Sequence, residues 1–249
     1  MKTKGKYHHK PLLYHFLAWA FNAYIPLILL VITRIIITLT IDDEWSGWTV
    51  TPGDPTYNKP VKPDLIPSWA NSILTILGPL LIMAFVSTVF YLIRRKTKTF
   101  FFYILDIHNF FFGFVASWIV SSIATISLKL LLGQPRPTFN ANGARESFPS
   151  GHTTSAAMGF VFLIFYLAGK WNVYQNKSSS RPTSWWKMII LGIFLVVPII
   201  VGVTRVRDFS HFPLDVTVGF CIGSTSSIVF YRTVYRWPWE AMAWAPLYY

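Results

Sequence analysis

The sequence predicts an all-α integral membrane bundle of six transmembrane helices with both chain termini on the cytosolic side. Three observations lead there. Of 249 residues, 53% are hydrophobic and only 13% charged, where a soluble domain carries about a quarter charged, and mean hydropathy is positive. Five runs free of formal charge (11–33, 69–93, 109–128, 153–169 and 188–204) and a sixth, 212–231, that holds only Asp215 approach the roughly 20 residues needed to cross a hydrocarbon core about 30 Å thick. The third is charge placement. The N-terminal tail, the 94–98 and 170–187 connections and the segment after 231 together hold fourteen of the 22 lysines and arginines, and the positive-inside rule puts those segments in the cytosol.

In chain order, residues 1–10 form a basic tail. The run 11–33 is too long for a signal-peptide core and continues as Thr33-Arg34-Ile35 rather than a small-residue cleavage site, so it reads as a retained span. The Pro-, Gly- and Trp-rich stretch 41–68 reads as an irregular outer connector resting on the membrane interface. Arg34, Asp106 and His108 lie near helix ends, where an interfacial position explains each. The stretch Ser178-Ser179-Ser180-Arg181-Pro182 reads as a flexible inner loop, and Asn176-Lys177-Ser178 before it is a glycosylation sequon only by letters on this topology. Cys221, the sole cysteine, reads as a small core residue and excludes an internal disulfide. The aromatic stretch 237–249 reads as an interfacial anchor, and the whole chain, 1–249, as one domain. A net charge of +12 raises nucleic acid as a partner, but the cations flank apolar runs rather than cluster on one face, so membrane topology explains them and no nucleic acid is expected.

Chemistry concentrates at one end of this bundle. His211 and Asp215 are four residues apart, so on a helical turn they share a face and the carboxylate can accept one imidazole N–H while the other nitrogen points outward. Arg205 precedes them as a fixed cation. The third helix ends in Lys129 and Arg136. The fourth opens with Pro149-Ser150-Gly151-His152, where Ser150 and Gly151 offer backbone N–H groups at the positive end of the helix dipole. The topology brings all of these to the outer face. Three cations, a backbone anion site and two histidines suit transfer of a phosphoryl group, whose transition state spreads negative charge over three oxygens. A metal centre needs several carboxylates or a spaced His/Asp cluster, and only Glu146, Asp208 and Asp215 are near, so neither a metal nor another cofactor is expected.

These segments resemble the three phosphatase motifs of the type 2 phosphatidic acid phosphatase superfamily. Lys129 to Pro137 is lysine, six residues, arginine-proline; Pro149 to His152 is proline-serine-glycine-histidine; Thr204 to Asp215 follows serine-arginine, five residues, histidine, three residues, aspartate, with threonine replacing the usual serine. Within the superfamily the chain looks most like the eukaryotic lipid phosphate phosphatases. The stretch 138–148 is shorter than that likeness leads one to expect. The resemblance implies His211 as nucleophile oriented by Asp215, His152 as proton donor and later base, and Lys129, Arg136, Ser150, Gly151 and Arg205 as phosphate ligands. It implies a metal-independent hydrolase acting on phosphatidate, lysophosphatidate or diacylglycerol pyrophosphate, in an endomembrane or the plasma membrane with the site lumenal or extracellular. Alternatives with the same phosphohistidine chemistry are a polyprenyl diphosphate phosphatase and a lipid headgroup transferase. A six-helix anion transporter is the remaining reading, and it requires polar residues deep in several helices.

Overall fold

The computed structural model describes residues 24–25, 27–37, 39, 48–95, 100–143, 146–174 and 185–247. They fold as helices: α1 (Leu27–Ile37), α2 (Ser68–Arg94), α3 (Phe100–Leu132), α4 (Gly151–Lys170), α5 (Trp185–Arg207) and α6 (Pro213–Val234). Five of these, α2 to α6, are long and apolar enough to span a membrane; most of the expected first span, 11–33, lies outside the described residues. The 33 residues of α3 exceed the expected run 109–128 at both ends. At 1.5 Å per residue the helix is about 50 Å long, so Asp106 and Lys129 sit toward its opposite ends.

Successive spans alternate in direction, and α4 lies at the centre, packed against α2, α3, α5 and α6. In lipid, apolar burial does not drive helices together, so close approach through small residues does. The sequence supplies them on α6 at spacings of four. A Cβ on Gly219 would lie 2.6 Å from the Ser150 carbonyl oxygen, and one on Gly223 would lie 2.2 Å from that of Thr154. One turn further, Ser227 Oγ donates to the Met158 carbonyl at 2.5 Å. Gly159 of α4 meets α2 in the same way, with Thr75 O 1.9 Å from where its Cβ would stand, in a π-helical turn over Ile73–Leu77. Gly223→Val should therefore force α4 and α6 apart, lowering the thermal midpoint by several degrees and costing at least tenfold in activity, since displacement by about 1 Å at a reacting centre can cost about 10²-fold. Gly192→Ala, with nothing within 4 Å of the new methyl, should change neither; thermal unfolding and phosphate release check both.

The end of the bundle away from the candidate site is held by an ion pair between Asp106, which read as interfacial, and Lys170, which counted among the cytosolic cations. Asp106 is 1% exposed, and Lys170 Nζ donates to its Oδ1 at 2.6 Å. Ser87 Oγ (2.6 Å) and the hydroxyls of Tyr166 (3.0 Å) and Tyr235 (2.9 Å) complete its shell. A buried charge needs such satisfaction, and α2, α4 and the residue that follows α6 supply it. The same lysine donates to the Trp244 carbonyl at 2.8 Å, so the aromatic tail is folded onto the bundle, with Ala243 and Ala245 buried. Cys221 also departs from expectation: it is exposed on the outward face of α6.

Candidate active site

The close α4–α6 seam decides where the histidines stand. His152 is the second residue of α4, and His211 ends the short connector two residues before α6 begins. Ser150 N–H donates to the Asp215 carbonyl oxygen at 3.0 Å, stitching the two helix starts together. Asp215 is fully buried, and its Oδ2 accepts from the Phe212 N–H at 2.8 Å and from Ser147 Oγ at 2.5 Å, closing the first turn of α6.

His211 is 5% exposed, and its Nδ1 lies 2.6 Å from the Ser147 carbonyl oxygen but 3.7 Å from Asp215 Oδ2. The expected carboxylate–imidazole hydrogen bond is thus replaced by a backbone one, and Asp215 acts on the ring as a charge at a distance too long for a hydrogen bond. A carbonyl can only accept, so Nδ1 carries the proton and Nε2 keeps its lone pair. Burial pushes the imidazole below its ordinary titration range; the Asp215 carboxylate opposes this, and the Lys129 and Arg136 cations add to it. His211 is therefore neutral at neutral pH. Asp215 Oδ1 is buried without a partner among the described residues, leaving an acceptor for the ring should it become charged.

The cations are distributed differently from one another. Lys129 Nζ donates to the Glu146 carbonyl oxygen, one residue before Ser147. Arg136 is half-buried in the turn after α3, where its carbonyl accepts the Phe139 N–H at 2.9 Å. Arg205 is 1% exposed and bridges two carboxylates, Asp64 at 3.0 Å and Asp208 at 3.2 Å. Its Nε–H, buried and unbonded among the described residues, is a donor left over. Ser150 also departs from expectation. It is fully buried, with its N–H on Asp215 and its Oγ accepting from Thr153 Oγ1 at 3.1 Å, so its backbone is not an open anion donor. Gly151, half-buried, begins the helix, and its N–H remains one of the groups with no intrahelical partner.

The stretch 48–67 is a cover rather than a loose connector. Trp48 Nε1 donates to the Leu132 carbonyl at 2.8 Å, Lys59 N–H to Pro137 O at 3.0 Å, and Asn140 N–H to Tyr57 O at 2.9 Å, all beside the first motif. Over the third motif, Asp64 pairs with Arg205, and Leu65 N–H donates to Asp208 Oδ2 at 2.9 Å. Ser68 Oγ lies 3.4 Å from His152 Nε2. Sequence reasoning missed Asp64, Ser68 and Ser147 because their partners are far along the chain. Asp208 carried a usable signal: three residues after Arg205, it falls on the same helix face.

This arrangement can hold a tetrahedral anion against a neutral, oriented imidazole beside a second histidine. The known proteins the chain matches fit it. A "Probable lipid phosphate phosphatase 4" of Arabidopsis thaliana is 29% identical over 213 residues, covering 75% of this chain and 64% of that protein. "Lipid phosphate phosphatase 1" of the same organism is 26% identical over 215 residues, covering 76% and 61%. A "Probable diacylglycerol pyrophosphate phosphatase 1" of Schizosaccharomyces pombe is 29% identical over 152 residues, covering 49% and 52%. The chain thus spans less than two thirds of the length of these relatives. No solved structure matches it. The model of the PAP2 superfamily matches residues 110–239, which contain every histidine, cation and carboxylate of the three motifs, and by that match this membrane-helix protein belongs to the PAP2 superfamily.

Proposed function

We propose that this protein is a lipid phosphate phosphatase that hydrolyses the phosphomonoester of phosphatidate and related lipids, lysophosphatidate and diacylglycerol pyrophosphate among them, through a phosphohistidine. The observation that carries this reading is His211: buried, neutral, its Nδ1–H on the Ser147 carbonyl, with Lys129 and Arg136 close enough to act on the ring as charges. Nε2 attacks phosphorus as the bond to the lipid oxygen breaks, and His152, protonated once the anionic phosphate stands beside it, gives that oxygen its proton. His152, now neutral, takes a proton from water as the water oxygen displaces Nε2, releasing inorganic phosphate and restoring His211. Lys129, Arg136, the Gly151 N–H and Arg205 Nε–H hold the phosphoryl oxygens, and Asp215 stabilises the ring when it becomes cationic. Ser150 acts through the backbone, fixing the start of α4.

The fold reading that accompanies this is a six-span bundle in one domain, both termini cytosolic, in an endomembrane or the plasma membrane. The site then opens to the lumenal or extracellular side, where helix ends meet headgroups and a lipid presents its phosphate while its chains stay in the bilayer.

In this chemistry side-chain cations neutralise charge that magnesium neutralises elsewhere. Purified protein should release inorganic phosphate from phosphatidate in EDTA at the same rate as with added Mg²⁺. Activity lost in EDTA and restored by Mg²⁺ would overturn the metal-independent mechanism.

A further inference from the structure

Beside the site, α5 and α6 border an apolar groove of about 690 Å³ on the outward face of the bundle, within the range of about 300–1,000 Å³ typical of ligand sites. Its upper residues adjoin the motifs directly. Thr153 follows His152, Val206 follows Arg205, and Pro213 is two residues beyond His211. Gly202 lets the helices close over the top, since a Cβ there would lie 2.5 Å from Val216 Cγ1. Along α6 the groove runs from Pro213 to Cys221, eight residues or about 12 Å at 1.5 Å per residue, close to the depth of one leaflet of a hydrocarbon core about 30 Å thick.

The lining asks for no polar partner. The Thr153 hydroxyl is bonded to Ser150 Oγ at 3.1 Å and that of Thr217 to the Pro213 carbonyl at 3.0 Å, while Ile199, Val203 and Cys221 are exposed along the walls. Arg207, its side chain 64% exposed, stands at the rim as a cation at headgroup level. An occupant must be apolar for about one leaflet depth and carry its polar end beside both histidines. We propose that the α5–α6 groove seats an acyl chain of the lipid substrate, with Cys221 at its lower end, so that this groove selects for chain length and presents the phosphate to His211. This rests on the phosphatase reading above.

Cys221 is the only cysteine, so the groove can be plugged in the natural protein without substitution. In phosphatidylcholine nanodiscs, kcat/KM is measured for dipalmitoyl and dihexanoyl phosphatidate before and after stoichiometric alkylation with pyrene maleimide, and for Cys221→Trp. The ratio of long-chain to short-chain kcat/KM should fall at least tenfold in both. Ile193→Trp, an equally bulky change at an exposed α5 position outside the groove, should leave that ratio unchanged. A ratio within twofold of the untreated protein after full alkylation overturns the groove assignment, and the alkylated natural chain decides the point even where the tryptophan variant folds poorly. Alkylation kinetics read the groove without turnover: hexadecylphosphonate should slow the reaction at least fivefold and butylphosphonate should not. Protection by the long chain without phosphate release from either substrate sinks the phosphatase reading alone; release with no protection and no change in ratio sinks the groove alone.

Discussion

His211→Ala should reduce phosphate release from every substrate to background, a loss of about 10⁴-fold or more, and should leave no acid-labile phosphate on the protein. The size follows from the role: without the nucleophile there is no covalent step, and removing the nucleophile of a serine protease costs about 10⁶-fold in kcat. Ser147 O, Asp215 and the α4–α6 seam persist in the variant, so helix content and thermal midpoint should stay near the parent's. The unsubstituted protein supplies a companion result. Because burial and the neighbouring cations hold the ring below its ordinary titration range, the neutral, reactive form persists as pH falls through neutrality. With a nitrophenyl phosphate, whose leaving group needs no proton from His152, phosphoenzyme formation should therefore stay flat through neutral pH and drop only below the usual histidine range. Substantial turnover by the alanine variant would remove His211 from the covalent step.

His152→Ala should separate the two steps of the reaction. With phosphatidate as substrate the departing alkoxide needs a proton, and losing a general acid costs about 10²- to 10⁴-fold. With a nitrophenyl phosphate the leaving group departs unprotonated, so the phosphoenzyme forms but the water step that follows is impaired. Rapid quench with that substrate should trap acid-labile phosphate on His211 in amounts approaching one per protein. The proposed mechanism takes the roles this way round because His211 has its Nδ1–H fixed by the Ser147 carbonyl, whereas His152 Nε2 lies 3.4 Å from Ser68 Oγ. Phosphate trapped on the His211→Ala protein and absent from the His152→Ala protein would exchange the two assignments.

Several readings of the chain changed once its packing was known. Lys170 counts toward the positive-inside asymmetry as a solvated charge, yet it is buried on Asp106 with Ser87, Tyr166 and Tyr235 around the same carboxylate. Arg34, which read as an interfacial cation, lies with its guanidinium carbon 5.6 Å from the centre of the Trp118 ring, a residue well inside the α3 span. Arg205, a phosphate ligand by resemblance, is paired with Asp64 and Asp208, with its Nε–H left unbonded among the described residues. Asp106, Trp118 and Asp64 come from other segments of the chain, where no local pattern encodes the pairing; only Asp208, three residues after Arg205, is a local partner.

What the sequence determined by itself is whatever depends on composition and short spacing. Apolar runs of span length dictate helices, because backbone groups in lipid must be satisfied within the segment. The motifs place histidines and cations at helix ends by counting alone. Tertiary structure decided which donor meets which acceptor. Asp215 lies within four residues of His211, yet the α4–α6 seam set by Gly219 and Gly223 carries Ser147 O into hydrogen-bond range and leaves the carboxylate 3.7 Å away. The same seam consumes the Ser150 N–H on Asp215, and the fold of 48–67 over the motifs brings Asp64 to Arg205 and Ser68 to His152. Such bonds close over separations of 64 to 141 residues at 2.6 to 3.4 Å, and only the relative placement of packed helices, set by atoms a glycine lacks, resolves distances that fine.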